Sequence, residues 1–204
     1  MTETTTKPRK SKSGLIIVVV LIAIFALPEI IAVSLQAMKW RPDSTTNRGE
    51  LFQPARSIED LEFQTIDNKS VKFSEFRKKW IMVSFADSVC NDACLKNMYL
   101  MRQVQTALGK EQNRVQRIFV SRGQIAPEVQ KVMLKEFSGM TILVGSQQNL
   151  AALSLQFTLP NMTAVDTQRI YLVDPLGNLM MSYRDNPNGM LKDMVHLMKI
   201  SWSG

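Results

Sequence analysis

The feature that most constrains this 204-residue chain is a long apolar run near its beginning. From residue 15 to residue 38 the sequence reads LIIVVVLIAIFALPEIIAVSLQAM, and its one formal charge is Glu29. Roughly 20 predominantly apolar residues are enough to cross the hydrocarbon core of a bilayer. A cleaved signal peptide is the alternative, but its apolar region usually has only about 7–15 residues. We therefore expect residues 15–38 to form a transmembrane anchor.

Basic residues flank the apolar run on both sides, and they bear on its orientation. Those before it are Lys7, Arg9, Lys10 and Lys12, and those after it are Lys39, Arg41 and Arg48. Because basic residues favour the cytoplasmic side, this small excess predicts a cytoplasmic head at residues 1–14. We expect a single pass through a bacterial-type inner membrane, with the remaining chain facing the periplasm.

The remainder of the chain has the length of one domain. After a polar linker at residues 39–54, about 150 residues remain at 55–204, enough for one sizeable core and too few for two. The formal net charge is +7, and the 25 basic and 18 acidic residues are spread along the chain. Such a distribution is typical of a solvated surface, so we expect no nucleic-acid partner.

Strand-like and helix-like stretches alternate within residues 55–204. A hairpin of LEFQTI and VKFSEF leads into the buried strand WIMVSFA, which is followed by the helix LKNMYLMRQVQTAL, the strand RVQRIFVS and the helix PEVQKVMLKEF. The pattern continues with the strand TILV, the helix QQNLAALSLQF, the strands RIYLVD and LMMSYR, and the helix GMLKDMVHLMKI. This order predicts an α/β, thioredoxin-like sandwich with a parallel core.

The only two cysteines, Cys90 and Cys94, fall where the first buried strand gives way to a helix. Unpaired amides and the helix dipole stabilise a thiolate at that position, and the thiolate is both the nucleophile and the metal ligand. Residues four apart lie on one helix face, so the two sulfurs could form a disulfide or hold one ion. A merely structural disulfide is the alternative, but closing so short a loop stabilises a fold by only roughly 2 kcal/mol.

The segment SFADSVCNDACL resembles the pattern of the Sco/SenC family: a strand, a small residue, Thr or Ser, and then Cys-Pro-Asp-x-Cys-Pro. The stretches RIFVS, GSQQNLAALSLQF and IYLVDPLGNLMMSY resemble the same family in the same order, so the resemblance covers roughly residues 57–200. Sco/SenC proteins help to assemble the copper site of cytochrome c oxidase. The resemblance therefore implies copper at Cys90 and Cys94, with an oxidase subunit or a copper-carrier protein as the partner.

The chain departs from the family pattern at three positions. Asn91 and Leu95 replace the prolines that flank the cysteines of the family. The copper-ligating histidine of the family is absent before RIYLVD, where this chain reads AVDTQ and places Asp166 at or beside the position. The sole histidine, His196, lies in the C-terminal helix, and we expect it to be solvated and not to replace the missing ligand.

The missing histidine affects which oxidation state of copper the chain can hold. Imidazole suits Cu(II), whereas thiolates and thioethers select Cu(I). We therefore expect Cys90 and Cys94 to hold Cu(I), with Met162 of the loop LPNMTAV as a further candidate donor. Met98 and Met101 share a helical stripe with Cys94, but methionines at helical spacing usually fill a core.

Three functional hypotheses follow from these residues and from the resemblance. The chain could be a membrane-anchored thiol-disulfide reductase, in which Cys90 attacks a partner disulfide and Cys94 resolves the mixed disulfide. It could instead be a Cu(I) carrier that uses both thiolates as ligands. The third hypothesis is a degenerate, non-catalytic scaffold that binds oxidase subunits.

The basic head and the apolar run predict the topology of the chain. Protease added to spheroplasts should digest the domain that follows residue 38, because that domain faces the periplasm. Immunoblotting of the domain after the digestion provides the measurement. Protection of the domain would show the opposite orientation, and recovery of the full domain in the soluble fraction would contradict the anchor.

Overall fold

The structure is a computed structural model, and it describes residues 12–38, 40, 46–86, 90–123, 125–159, 162–164 and 168–201. The chain divides into two units, Met1–Thr46 and Asn47–Gly204. The predicted head therefore lies largely outside the described residues, and so does Asp166.

Helix α1 of the first unit comprises Lys12–Ala37. It begins inside the predicted head, and its 26 residues span about 39 Å at 1.5 Å per residue, more than the roughly 30 Å of a hydrocarbon core. The segment Gly14–Ala37 has a mean hydropathy of 3.0 and is long and apolar enough to cross a membrane. Pro28 lies within the helix, and the Ser34 hydroxyl donates to the Ile30 carbonyl at 2.7 Å.

One mixed sheet runs through the second unit, in the order β1-β8-β7-β4-β5-β6-β2-β3. Its strands are β1 (Glu50–Ser57), β2 (Glu62–Thr65), β3 (Ser70–Lys72), β4 (Trp80–Ala86), β5 (Val115–Ser121), β6 (Met140–Val144), β7 (Ile170–Val173) and β8 (Asn178–Tyr183). The helices are α2 (Asp92–Ala107), α3 (Pro127–Glu136), α4 (Gln147–Gln156) and α5 (Pro187–Ile200). Short 3-10 helices cover Phe73–Phe76 and Gly109–Arg114.

Strands β4, β5 and β6 are parallel, and β7 joins the other side of β4 antiparallel. Val83 of β4 lies opposite Ile118 on one side and Tyr171 on the other. All seven residues of β4 are buried, as expected for a central strand that is covered on both faces. The alternation of strands and helices thus gives the predicted α/β thioredoxin-like fold.

Two hydrophobic clusters cover the two faces of the sheet. One cluster contains side chains of α2, α3 and α5 and is rich in methionine, with Met98 and Met101 of α2 both fully buried. The other contains side chains of α4 and of the first 3-10 helix. The helix that carries the cysteines therefore packs on a continuous apolar layer, which holds it against the sheet.

Only the first two residues of the predicted strand VKFSEF are extended in the structure. Strand β3 ends at Lys72, and Phe73–Phe76 forms a 3-10 helix instead. In a 3-10 helix, residues three apart lie on the same side, and both Phe73 and Phe76 are buried. The burial of these two aromatic rings therefore explains why the strand stops there.

The folded unit begins at Asn47 and not at residue 55, because part of the predicted linker 39–54 belongs to the sheet. Strand β1 starts at Glu50 and pairs antiparallel with β8, with Glu50 opposite Ser182. It is an edge strand, and Phe52 is its one fully buried residue. Edge strands tolerate proline, so Pro54 lies within β1. The strand forms because it pairs with β8, and the periodicity of apolar residues in the sequence does not indicate such a pairing.

The buried carboxylate of Asp193 ties the start of this unit to α5. Its Oδ2 accepts hydrogen bonds from the backbone N–H of Arg48 at 2.7 Å, the N–H of Gly49 at 3.0 Å and the Tyr183 hydroxyl at 3.2 Å. Gly49 is required there, because a Cβ atom would lie 2.6 Å from the Tyr183 ring. Burial, followed by the negative charge of Asp193, raises the pKa of Tyr183. The hydroxyl therefore stays protonated and continues to donate.

Replacing Asp193 should destabilise the domain, because Asp193→Ala leaves two backbone amides and the Tyr183 hydroxyl without their acceptor. We expect the free energy of unfolding to fall by about 3 kcal/mol. Urea denaturation of the full chain in detergent, followed by near-ultraviolet circular dichroism, measures the change. Lys96→Ala is the matched control: it removes the pair between the exposed side chains of Lys96 and Asp185 without changing the residue at 185, whose backbone is left-handed, and it should cost less than about 1 kcal/mol. Equal losses in the two variants would contradict the role of Asp193.

Candidate functional site

The cysteines lie at the turn between β4 and α2. Strand β4 ends at Ala86, residues 87–89 lie outside the described residues, and Cys90 stands two residues before the helix. Asn91 is the N-cap of α2, and its side-chain oxygen accepts a hydrogen bond from the Cys94 amide at 3.0 Å. An N-cap asparagine satisfies one of the free amides of a first turn. Asn91, which replaces a proline of the family pattern, therefore begins the helix at this point.

Cys90 and Cys94 form a disulfide with each other, with their Cα atoms 5.3 Å apart. This separation lies within the usual range for disulfides, about 4.4–6.8 Å. The two sulfurs differ in access: Cys90 is partly buried, whereas Cys94 is only 4% exposed and belongs to the methionine-rich cluster. Thiol-disulfide exchange requires access to the attacked or attacking sulfur, and Cys90 is the more accessible residue of the two.

The reduced pair would lie in an environment that favours thiolates. Cys90 precedes the first turn of α2, where the positive end of the helix dipole stabilises a negative charge. The amide of Cys94 already donates to Asn91, so the stabilisation comes from the remaining free amides of the turn. Two thiolates, one just before α2 and one in its first turn, would be soft donors, which fit Cu(I) better than Cu(II).

The other candidate metal donors are distributed between the core, a loop and an exposed helix face. Met98 and Met101 are fully buried core residues beneath α2. Met162 is 47% exposed and forms an isolated bridge with Leu159 in the loop ahead of β7. His196 is exposed on α5, as expected. Within the described part of the chain, no three residues of the types His, Cys, Asp and Glu group closely enough to hold a metal ion.

Asn97, on the buried face of α2, was not predicted to belong to the site. Asn97 is 5% exposed, and its side-chain amide donates to the Gln168 carbonyl at 3.0 Å and to the Ser84 hydroxyl at 3.4 Å. It occupies the same buried face of α2 as Cys94 and Met101. The sequence signal for such a residue is a single amide side chain within an apolar helical stripe. Its hydrogen-bond partners could not be predicted, because they lie on other segments of the chain.

A cavity of about 770 Å³ lies at the carboxyl ends of β5 and β6 and not at the cysteines. Its lining includes Arg122 and Gly123 after β5, Gly145 and Ser146 after β6, and Gln64 of β2. Neither cysteine lines the cavity.

Comparison with known proteins places this arrangement in a family. The family model described as "Transmembrane-like, thioredoxin-like, C-terminal domain" matches residues 80–201, which include both cysteines and strands β4 to β8. No curated protein matches the sequence.

Solved structures of Sco proteins share the fold. Apo Sco1 from Thermus thermophilus has a TM-score of 0.61 and 23% identity, with 76% of this chain and 99% of that chain covered. Yeast Sco1 with copper bound has a TM-score of 0.61 and 16% identity, with 72% and 90% covered. BsSco, described as a member of the Sco family of cytochrome c oxidase assembly proteins with a disulfide switch, has a TM-score of 0.55 and 19% identity, with 74% and 99% covered.

These neighbours agree with the resemblance to the Sco/SenC pattern. The chain accordingly belongs to the family of transmembrane-like, thioredoxin-like C-terminal domains and has the fold of the Sco proteins.

Proposed function

We propose that this chain is a membrane-anchored assembly factor for a respiratory copper oxidase, acting through the Cys90–Cys94 pair. The observation that carries the proposal is the disulfide between an accessible and a buried cysteine at the start of α2. The neighbouring Sco structures, among them a copper-bound protein and a protein with a disulfide switch, support the same assignment. The partner is an oxidase subunit or a copper-carrier protein, and the domain faces the periplasm, where disulfides persist.

The reductase activity would use both cysteines in sequence. In the dithiol form, the Cys90 thiolate attacks a disulfide of the partner, and one partner sulfur leaves as a thiolate. Cys94 then attacks Cys90 in the mixed disulfide, which releases the second partner thiol and restores the Cys90–Cys94 disulfide. Two electrons pass from this chain to the partner, whose cysteines become ready to accept copper.

The same dithiol could carry copper as cargo. Two thiolates suit Cu(I), and the absence of the family histidine removes the nitrogen donor that suits Cu(II). Met162, with its half-exposed thioether in the loop ahead of β7, is the candidate for a third donor. A non-catalytic scaffold remains the alternative function, and it requires neither reversible redox chemistry nor copper binding.

The disulfide should be reversible and intramolecular, because both sulfurs lie on one helix start and the chain has no other cysteine. Full-length protein in detergent, equilibrated with graded glutathione buffers and then alkylated, should show one two-electron transition by mass spectrometry. Cys94→Ser should accumulate a mixed disulfide with a partner peptide at Cys90, whereas Cys90→Ser should accumulate much less. If no intramolecular bond forms even in strong oxidant, the reductase activity is excluded.

The reduced protein should bind one Cu(I) through Cys90 and Cys94 and should bind Cu(II) much more weakly. Competition with a chromophoric Cu(I) chelator measures the affinity for Cu(I), and thiolate-to-copper charge-transfer absorption reports the binding of Cu(II). Asp166→His should restore part of the Cu(II) absorption, because it returns an imidazole at or beside the family position. Met162→Leu should weaken Cu(I) binding if the thioether is a ligand.

His196→Ala is the matched control for the copper experiment, because it removes an exposed imidazole that lies outside the site. This variant should change neither the affinity for Cu(I) nor the affinity for Cu(II). If the double variant Cys90→Ser with Cys94→Ser keeps the wild-type affinity for Cu(I), the copper carrier is the wrong assignment and the scaffold becomes the better one.

A further inference from the structure

We infer that Asn97 is a positioning residue that sets the redox equilibrium of the Cys90–Cys94 pair by tying the cysteine helix to the segments around it. The inference rests on the proposed function in one respect, that the pair is a reversible redox couple. Asn97 itself touches no reacting sulfur in the hydrogen bonds of the structure, so its effect on the cysteines passes through α2.

Asn97 stands in surroundings where an apolar residue would be expected. Its exposed fraction is 5%, and its neighbours on the same face of α2, Cys94, Met98 and Met101, are exposed by 4% or less. A buried amide is costly unless it is hydrogen-bonded, whereas an apolar side chain at this position would not carry that cost. Packing alone therefore does not explain an asparagine here, but its hydrogen bonds do.

These hydrogen bonds join three segments that frame the disulfide. Asn97 lies three residues after Cys94, so it belongs to the next turn of the same helix face. Its amide reaches Ser84, near the end of β4, and Gln168, just before β7. Ser84 is opposite Ile170 in the pairing of β4 with β7. The Asn97 side chain thus links α2 to β4 and to the residues just before β7, at the end of the sheet where the cysteines lie.

The contact with Gln168 restrains a backbone that would otherwise relax. Gln168 has a φ of +48°, the left-handed region that a residue with a side chain seldom adopts. Such conformations persist where the surroundings hold them, and they cluster at functional sites. The Gln168 carbonyl accepts the Asn97 hydrogen bond at 3.0 Å, so this bond is one of the contacts that hold the loop in place.

The restraint should favour the disulfide over the dithiol. Forming the bond requires the first turn of α2 to hold Cys94 against Cys90 at a Cα separation of 5.3 Å, and Asn97 fixes the turn that follows in this arrangement. A dithiol imposes no such separation. A contact shifts an equilibrium only if its free energy differs between the two states. Loss of the Asn97 contacts should therefore destabilise the disulfide relative to the dithiol and shift the pair towards the dithiol.

The test measures the redox equilibrium of Asn97→Leu in the full chain in detergent, with glutathione as the redox partner. Reduction of the disulfide consumes two glutathione molecules and yields two thiols and one glutathione disulfide. We expect the equilibrium constant for disulfide formation to fall about tenfold, which corresponds to about 30 mV for a two-electron couple. Asn97→Ala, which cannot overpack the core, provides the same measurement if Asn97→Leu does not fold.

Asn149→Leu is the matched control, since Asn149 is also a helical asparagine whose amide donates to a backbone carbonyl, that of Glu62 at 2.7 Å. It lies on α4, away from the cysteines, and should leave the redox equilibrium within twofold of the wild type. The free energy of unfolding of each variant is then measured for its oxidised and its reduced form. A positioning role destabilises the oxidised form more, whereas a merely structural role destabilises both forms equally.

An unchanged redox equilibrium in Asn97→Leu and Asn97→Ala, with the wild type titrating normally, overturns this inference and leaves the proposed function intact. A wild-type protein without a reversible two-electron transition overturns the proposed reductase activity instead. The two failures are therefore distinguishable in one set of titrations.

Discussion

The fixed carboxyl end of β4 is the constraint on which the site depends. Strand β4 is buried along its whole length and is paired on both sides, with β5 and β7, so its end cannot shift without moving the sheet. The cysteines follow directly from that end, and α2 packs its methionine-rich face on the same side of the sheet. The cysteine pair therefore has a rigid base, although Cys90 is only partly buried.

The asymmetry of the two cysteines follows from this base. The first turn of α2 rests on the core, and this contact buries Cys94, while Cys90 stands outside the helix and remains partly accessible. An accessible sulfur and a shielded one suit the two successive steps of thiol exchange, because the second step must be intramolecular.

The central alternation of strands and helices was predictable because each element carries its own period of apolar residues. Strand β1 and the 3-10 helix at Phe73–Phe76 were not, for two different reasons. Strand β1 is exposed along most of its length and exists through its pairing with β8. The 3-10 helix depends on the burial of two aromatic rings, which a strand-like local pattern does not indicate.

Three properties could be recognised from the amino-acid sequence: the apolar span, the spacing of the two cysteines at the start of a helix, and the donor types, including the absence of the family histidine. These properties are local, and residue identity and periodicity suffice to recognise them. The folded chain was needed to show that Cys94 is more buried than Cys90, that Met98 and Met101 belong to the core, and that Asn97 reaches Gln168. These properties depend on contacts between segments far apart in the chain, and such contacts form only when the apolar faces of the helices pack on the sheet.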